Sequence, residues 1–188
     1  MANDNNVINA TKVVTGIVRF SYLNVFEPKS INGSDPKFSV ALLIPKTDTK
    51  TIEAINKAIE AAKQAGLHSK FGGKMPAKMK LPLRDGDEEY PDDETYKGHY
   101  FVNANCTQRP GLMYKNGQPI IDSTDLYSGC YGHASVNFYA FNTQGNKGIA
   151  CGLNHLMKVK DGEPLGGRSR MEDDFAGLIE DDAEDFLK

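Results

Sequence analysis

Residues 127–159 read YSGCYGHASVNFYAFNTQGNKGIACGLNHLMKV, and the alternation inside them decides the fold. Across 132–141, Ala134, Val136, Phe138 and Ala140 fall on one side, and His133, Ser135, Asn137, Tyr139 and Phe141 on the other. Period two with β-branched and aromatic residues predicts a strand. Residues 142–146, NTQGN, predict the turn that follows, because Gly and Asn tolerate positive φ. The return strand, 148–159, puts Ile149, Cys151 and Leu153 on one face. Its other face is Ala150, Gly152 and Asn154, small and polar. Such a pair is half the wall of a small β-barrel, with an outer face able to accept something flat.

Working outward, residues 12–22, KVVTGIVRFSY, predict a first strand. Val14, Gly16, Val18, Phe20 and Tyr22 share one face; Val13, Thr15, Ile17, Arg19 and Ser21 share the other. Gly16 inside a strand predicts a bulge or sharp coil. Residues 24–36 read as a loop, and 37–45, KFSVALLIP, as a second strand with Phe38, Val40, Leu42 and Ile44 inward. Thr47, Asp48 and Thr49 can cap a helix over 50–65, whose stripe is Ile52, Ile55, Ile59 and Ala62. Lys63 suits its C-terminal dipole, and Gly66 an αL cap. Residues 66–98 read as a long irregular region, and 99–106 as a strand with Tyr100, Val102 and Ala104 opposite His99, Phe101, Asn103 and Asn105. Asn116-Gly117 predicts a short hairpin with a type I′ turn. The expectation is mainly β: an OB-like five-stranded barrel over 12–160 with one inserted α-helix and an extra β-hairpin. Residues 1–11 read as a flexible N-terminus, 161–170 as a linker and 171–188 as a disordered acidic C-terminal tail.

The chain has 188 residues and a net charge of −3, which hides an asymmetry. The last 18 residues hold eight acids against Lys188 alone, leaving residues 1–170 with 21 bases, 17 acids and a net +4. An acidic tail on a mildly basic body is a pattern found among nucleic-acid binders. Six bases fall within 63–84 without an acid, and seven acids within 85–94 without a base. No apolar run is long enough for a transmembrane helix and no signal peptide is legible, so a cytoplasmic setting is expected, without a membrane. Three cysteines at wide spacing make no disulfide framework.

YSGCYGHASVNFYAFN, GNKGIACGLN and DGEPLGGR resemble a phage-encoded family of single-stranded DNA-binding proteins with an OB fold. The likeness runs from about Thr11 to Arg170 and includes KFSVALLIPK and YFVNANCTQRPG. It implies a protein that coats single-stranded DNA in phage replication or recombination, in the host cytoplasm, largely without regard to sequence. The same resemblance leaves a homodimer open and calls for no cofactor. Single-strand binding needs a cationic path and exposed rings. Candidates for the path are Arg19, Lys70, Lys74, Lys78, Lys80, Arg84, Arg109 and Lys115; candidates for stacking are Phe101, Tyr114, Tyr131, Tyr139 and Phe141. Any one lysine is as readily a solvated surface residue, and any one ring as readily wall packing. In the tail, Phe175, Asp181, Asp182, Asp185 and Phe186 resemble the acid-and-aromatic end by which such proteins dock replication or recombination partners. Lys188 after Leu187 departs from that pattern, since Phe186 is not terminal.

Two other classes compete. A metal-dependent nuclease would use Asp122, Asp125 or the acids of 85–94. No C-x-x-C or H-x-x-x-H spacing supports a zinc site, and no Walker, G-x-S-x-G or H-E-x-x-H motif is present. A phage structural or interaction module would use the barrel to hold a protein instead. Cleavage of labelled strands with Mg²⁺ separates the first; failure to bind any oligonucleotide favours the second.

Overall fold

The computed structural model describes residues 9–30, 33–165, 175, 177 and 178. Its elements in chain order are β1 (Lys12–Val14), β2 (Val18–Lys29), β3 (Lys37–Pro45), α1 (Thr49–Gly66), β4 (Leu83–Asp85), α2 (Gly86–Glu89), β5 (His99–Cys106), β6 (Gly111–Tyr114), β7 (Tyr131–Thr143) and β8 (Asn146–Lys160). β2 pairs with β3, β3 with β5, β5 with β8, β8 with β7, and β7 again with β2. Five strands thus close on themselves in the OB-like arrangement. The β5–β8 contact is parallel and brief, Ala104 opposite Cys151 and Asn105 opposite Gly152. Below it the two strands diverge, and the chain before β5 fills the gap. β4 pairs with β5, while Lys80 bridges to Gly148, its amide donating to Lys147 O and its carbonyl accepting from Ile149 N.

The alternation of β7 and β8 appears as expected: Ala134, Val136, Phe138, Ala140, Ile149, Cys151 and Leu153 are all buried. Their connection is tighter than five residues. Thr143 pairs with Asn146, and Gln144 and Gly145 both take positive φ, 51° and 83°. That is a two-residue primed turn, which matches strand twist. The first strand departs from a single alternation. It breaks at 15–17, so the inward set changes from Val13 and Thr15 to Val18 and Phe20. β2 then runs to Lys29, well into the expected loop.

α1 covers the ring with Ile55, Ala58, Ile59 and Ala62 buried against the strand core. Asp48 caps it, accepting from Thr51 N at 3.2 Å. The expected αL cap at Gly66 is corrected: Gly66 is the last helical residue and Leu67 follows in the right-handed region. Gly66 is buried against Ala140, whose Cβ would overlap any Cβ added there. The Asn116-Gly117 turn is also not type I′. Only Gly117 has positive φ, and Gly117 N donates to Tyr114 O. This is a type I turn closed by a left-handed glycine. A second, smaller core of Leu43, Tyr96 and Phe101, with Leu165 packed on it, lies apart from the main one.

Candidate nucleic-acid interface

On the outside of the ring the strand register lines up one row of small and amide side chains. Asn24 is opposite Ser39, Ser39 opposite Asn105, Asn105 opposite Gly152, and Gly152 opposite Asn137. All five are half-buried, forming a polar belt that crosses five strands. No long apolar side chain interrupts it.

Toward β8 the belt opens into a groove of about 440 Å³, lined among others by Lys37, Asn105, Arg109, Tyr139, Gly152 and His155. Among its lining residues there is no carboxylate. Tyr139 is 44% exposed. Gly152 lies beside its ring, where a Cβ would come 3.5 and 4.0 Å from two ring carbons. The absent side chain keeps that face open. Partial burial raises the Tyr139 hydroxyl above its ordinary range. Cys106 donates to Gln108 O at 3.0 Å, and burial likewise pushes its thiol up, so no thiolate stands in the groove. Arg109 lies 5.9 Å from the Phe26 ring centroid, which draws the guanidinium to the β2 side. A bulge makes the far wall. Ser135 faces His155 while Val136 faces Leu153, leaving Asn154 as the extra residue. His155 Nδ1 accepts from Gly111 N, which fixes its ring against β6.

The sequence-derived candidates fall into separate places. Arg109 and Tyr139 meet in this groove. Lys70, Lys74, Lys78 and Lys80 are exposed near the β7–β8 turn, with Asn142 donating to Lys70 O and Lys80 bridged to Gly148. Arg19 lies 5.3 Å from the Tyr131 ring and donates to the carbonyls of Gly129 and Glu163, so this pair clasps the segment leaving β8. Tyr114 packs against the main core and donates its hydroxyl to Asp125, with Lys115 exposed beside it. Arg84 is bound to Glu89 through two contacts, at 2.9 and 2.6 Å. Phe101 must be corrected as a stacking residue: it is 1% exposed, beneath Tyr96 at 5.1 Å and Arg84 at 4.9 Å. Phe175 is exposed, while Asp181, Asp182, Asp185 and Phe186 lie outside the described residues. Sequence reasoning missed Lys37, Asn105 and His155. Asn105 and Lys37 were legible as strand positions, but nothing local shows that β3, β5 and β8 bring them together.

Asp122 accepts from Thr124 and Asp125 from Tyr114, and among the described residues no three His, Cys, Asp or Glu side chains converge. Among them, too, no helix is long and apolar enough to cross a membrane.

Residues 11–187 match the family described as Enterobacter phage Enc34, ssDNA-binding protein. The chain is similar to the single-stranded DNA-binding protein from bacteriophage Enc34 in complex with ssDNA, at 28% identity and TM-score 0.71, over 83% of this chain and 90% of that one. It is 29% identical to protein p50 of Acyrthosiphon pisum secondary endosymbiont phage 1, over 94% of this chain and 98% of the relative. Bacteriophage T7 gp2.5, a single-stranded DNA-binding protein, shares the fold at 16% identity and TM-score 0.61, covering 90% and 94% of the two chains. The chain therefore belongs to the phage single-stranded DNA-binding protein family typified by Enterobacter phage Enc34, a family of binding proteins rather than enzymes.

Proposed function

We propose that this chain binds single-stranded DNA across the polar belt, with the strand entering the groove of Lys37, Arg109, Tyr139 and His155. The carrying observation is that groove: a half-exposed aromatic ring beside a glycine, flanked by cations and amides, with no carboxylate among the lining residues. A ring supplies a sequence-tolerant platform, cations hold phosphates, and amides bond to any base edge. The exposed lysines 70, 74, 78 and 80 extend the cationic path toward the β7–β8 turn, and Lys115 offers a further contact at the β6 turn. Binding unpaired strands in preference to duplex lowers the free energy of the open state, which protects the strand and melts hairpins during phage replication or recombination. The acidic tail, with Phe175, Asp181, Asp182, Asp185 and Phe186, docks proteins of the same system and competes with DNA for the basic face. Supporting that competition, Leu165, shortly before the tail, is packed on the Leu43–Tyr96–Phe101 cluster, on the same outer side of the ring as the belt.

Fluorescence anisotropy of the full chain with oligo-dT and an equal-length duplex, titrated in salt, tests this reading. Oligo-dT is expected to bind more tightly, with log K falling by roughly 0.7 per phosphate contacted for each decade of salt. Tyr139→Ala should weaken it by about 1–3 kcal/mol. Arg109→Ala should also flatten the salt slope by roughly 0.7. Equal affinity for duplex, or no binding to either, removes the proposal.

A further inference from the structure

A second groove, about 1220 Å³, lies against β2 on the other side of the belt, and Tyr22 stands at its edge. Tyr22 is 69% exposed and has φ of 46°, the left-handed region that a tyrosine rarely adopts. The pairing of β2 with β3 slips between Ser21 and Asn24, and Tyr22 sits in that slip. Ser21 is buried, so the irregularity is what delivers the next side chain to the surface. Two hydrogen bonds hold the distortion: Asn24 Nδ2 donates to Tyr22 O at 3.2 Å, and Leu23 N donates to Ser128 Oγ at 3.0 Å. Among the described residues no ring pairs with the Tyr22 ring and no cation lies over it. Strained backbone held by its surroundings, presenting an aromatic that the fold does not pack, points to use by something outside the fold.

We propose that Tyr22 is a second stacking platform for an unpaired nucleobase, at the opposite end of the belt from Tyr139. This rests on the single-strand reading above. The register supports it: Ser21 pairs with Ala41, which pairs with Asn103, and Asn24 belongs to the belt itself, so Tyr22 rises directly from the belt's β2 end. Charge sets the strand's orientation there. The groove wall away from the belt carries the exposed Asp93 and Glu163, while Lys29, paired with Lys37, lies toward the cationic side. Phosphates are repelled from the first wall and held near the second, so the strand enters Tyr22's groove base first.

The chain contains no tryptophan, so Tyr22→Trp makes a single indole reporter in the full-length protein. Its emission should be quenched as oligo-dT saturates the protein at low salt. Tyr22→Gly should keep the fold and its thermal midpoint, because glycine accepts positive φ freely, yet raise Kd for oligo-dT by roughly five- to a hundredfold. Tyr22→Phe should bind like the parent. Indole emission that saturation leaves unmoved, or a folded glycine variant that binds like the parent, overturns the role of Tyr22 while the parent's own binding leaves the functional reading standing. A parent chain that ignores oligo-dT overturns both.

Discussion

Phe101 and Tyr139 are aromatic residues on the outer side of the same ring, and what lies over them separates their roles. Tyr96, Arg84 and Leu165 seal Phe101 from solvent, whereas nothing comparable lies over Tyr139. Phe101→Ala should therefore cost about 3–5 kcal/mol of stability, seen as a lower urea midpoint at an unchanged m-value. Its Kd for oligo-dT, measured on the folded fraction, should stay near the parent's, the reverse of Tyr139→Ala. Strand alternation alone makes the two indistinguishable. It shows which side of a strand a side chain occupies, and the cover over Phe101 comes from residues 90–96 and from Leu165, far along the chain. The same limit explains Gly66, legible as a helix stop but used for close approach to Ala140. Gly66→Ala, a gain in an ordinary helix, should here destabilise by about 1–3 kcal/mol through overpacking.

The elements are joined by a few polar clasps, and these set their own tests. The break between β1 and β2 is fastened to the start of α1: Gly16 N donates to Thr51 Oγ1 at 2.9 Å, and that hydroxyl donates to Asp48 Oδ2 at 2.6 Å. Asp48→Ala removes the helix cap and frees this hydroxyl together, so a loss of about 1–2 kcal/mol is expected in denaturant unfolding. The second clasp joins the end of β3 to β4 and α2, with Lys46 2.8 Å from both Asp85 and Asp87. Hydrogen bonds from Lys46 hold both carboxyls below their ordinary range. A depressed carboxyl pKa stabilises the fold above the unfolded value and ceases to do so as pH falls through the folded one. Thermal midpoints of the parent and Lys46→Met should accordingly differ at neutral pH and converge in acid. The strands and helix were legible because their periodicity is local and long. The irregular stretch 66–98 was not, since β4 and α2 are short and are held by Lys46, by β5 and by the Lys80–Gly148 bridge, contacts with parts of the chain outside the stretch. The candidate site was half legible for the same reason: Tyr139 announces itself on β7, but its neighbours depend on ring closure.

At the scale of the whole molecule the controlling quantity is the separation of charge along the chain. Residues 1–170 carry a net +4, and the remaining 18 reverse the sign of the total. The chain leaves the ring with Asp161 to Leu165 tied down: Leu165 N donates to Ser128 O at 2.8 Å, and Tyr127 donates to Asp161 at 3.0 Å. The acids that follow are thus tethered at the edge of the face proposed to hold DNA, where the local concentration of a tethered competitor is high. Deleting residues 171–188 should tighten oligo-dT binding at low salt, and the gain should shrink as salt rises past about 0.15 M, where the Debye length falls to roughly 8 Å. The direction of the salt trend separates competition from a change in the groove itself. A tail that blocks electrostatically loses its effect in high salt, whereas a deletion that altered the groove would shift affinity by a similar factor throughout. Anisotropy titrations of the parent and truncated chains at three salt concentrations read the difference, and an unchanged affinity at the lowest salt would remove the tail from the DNA-binding equilibrium.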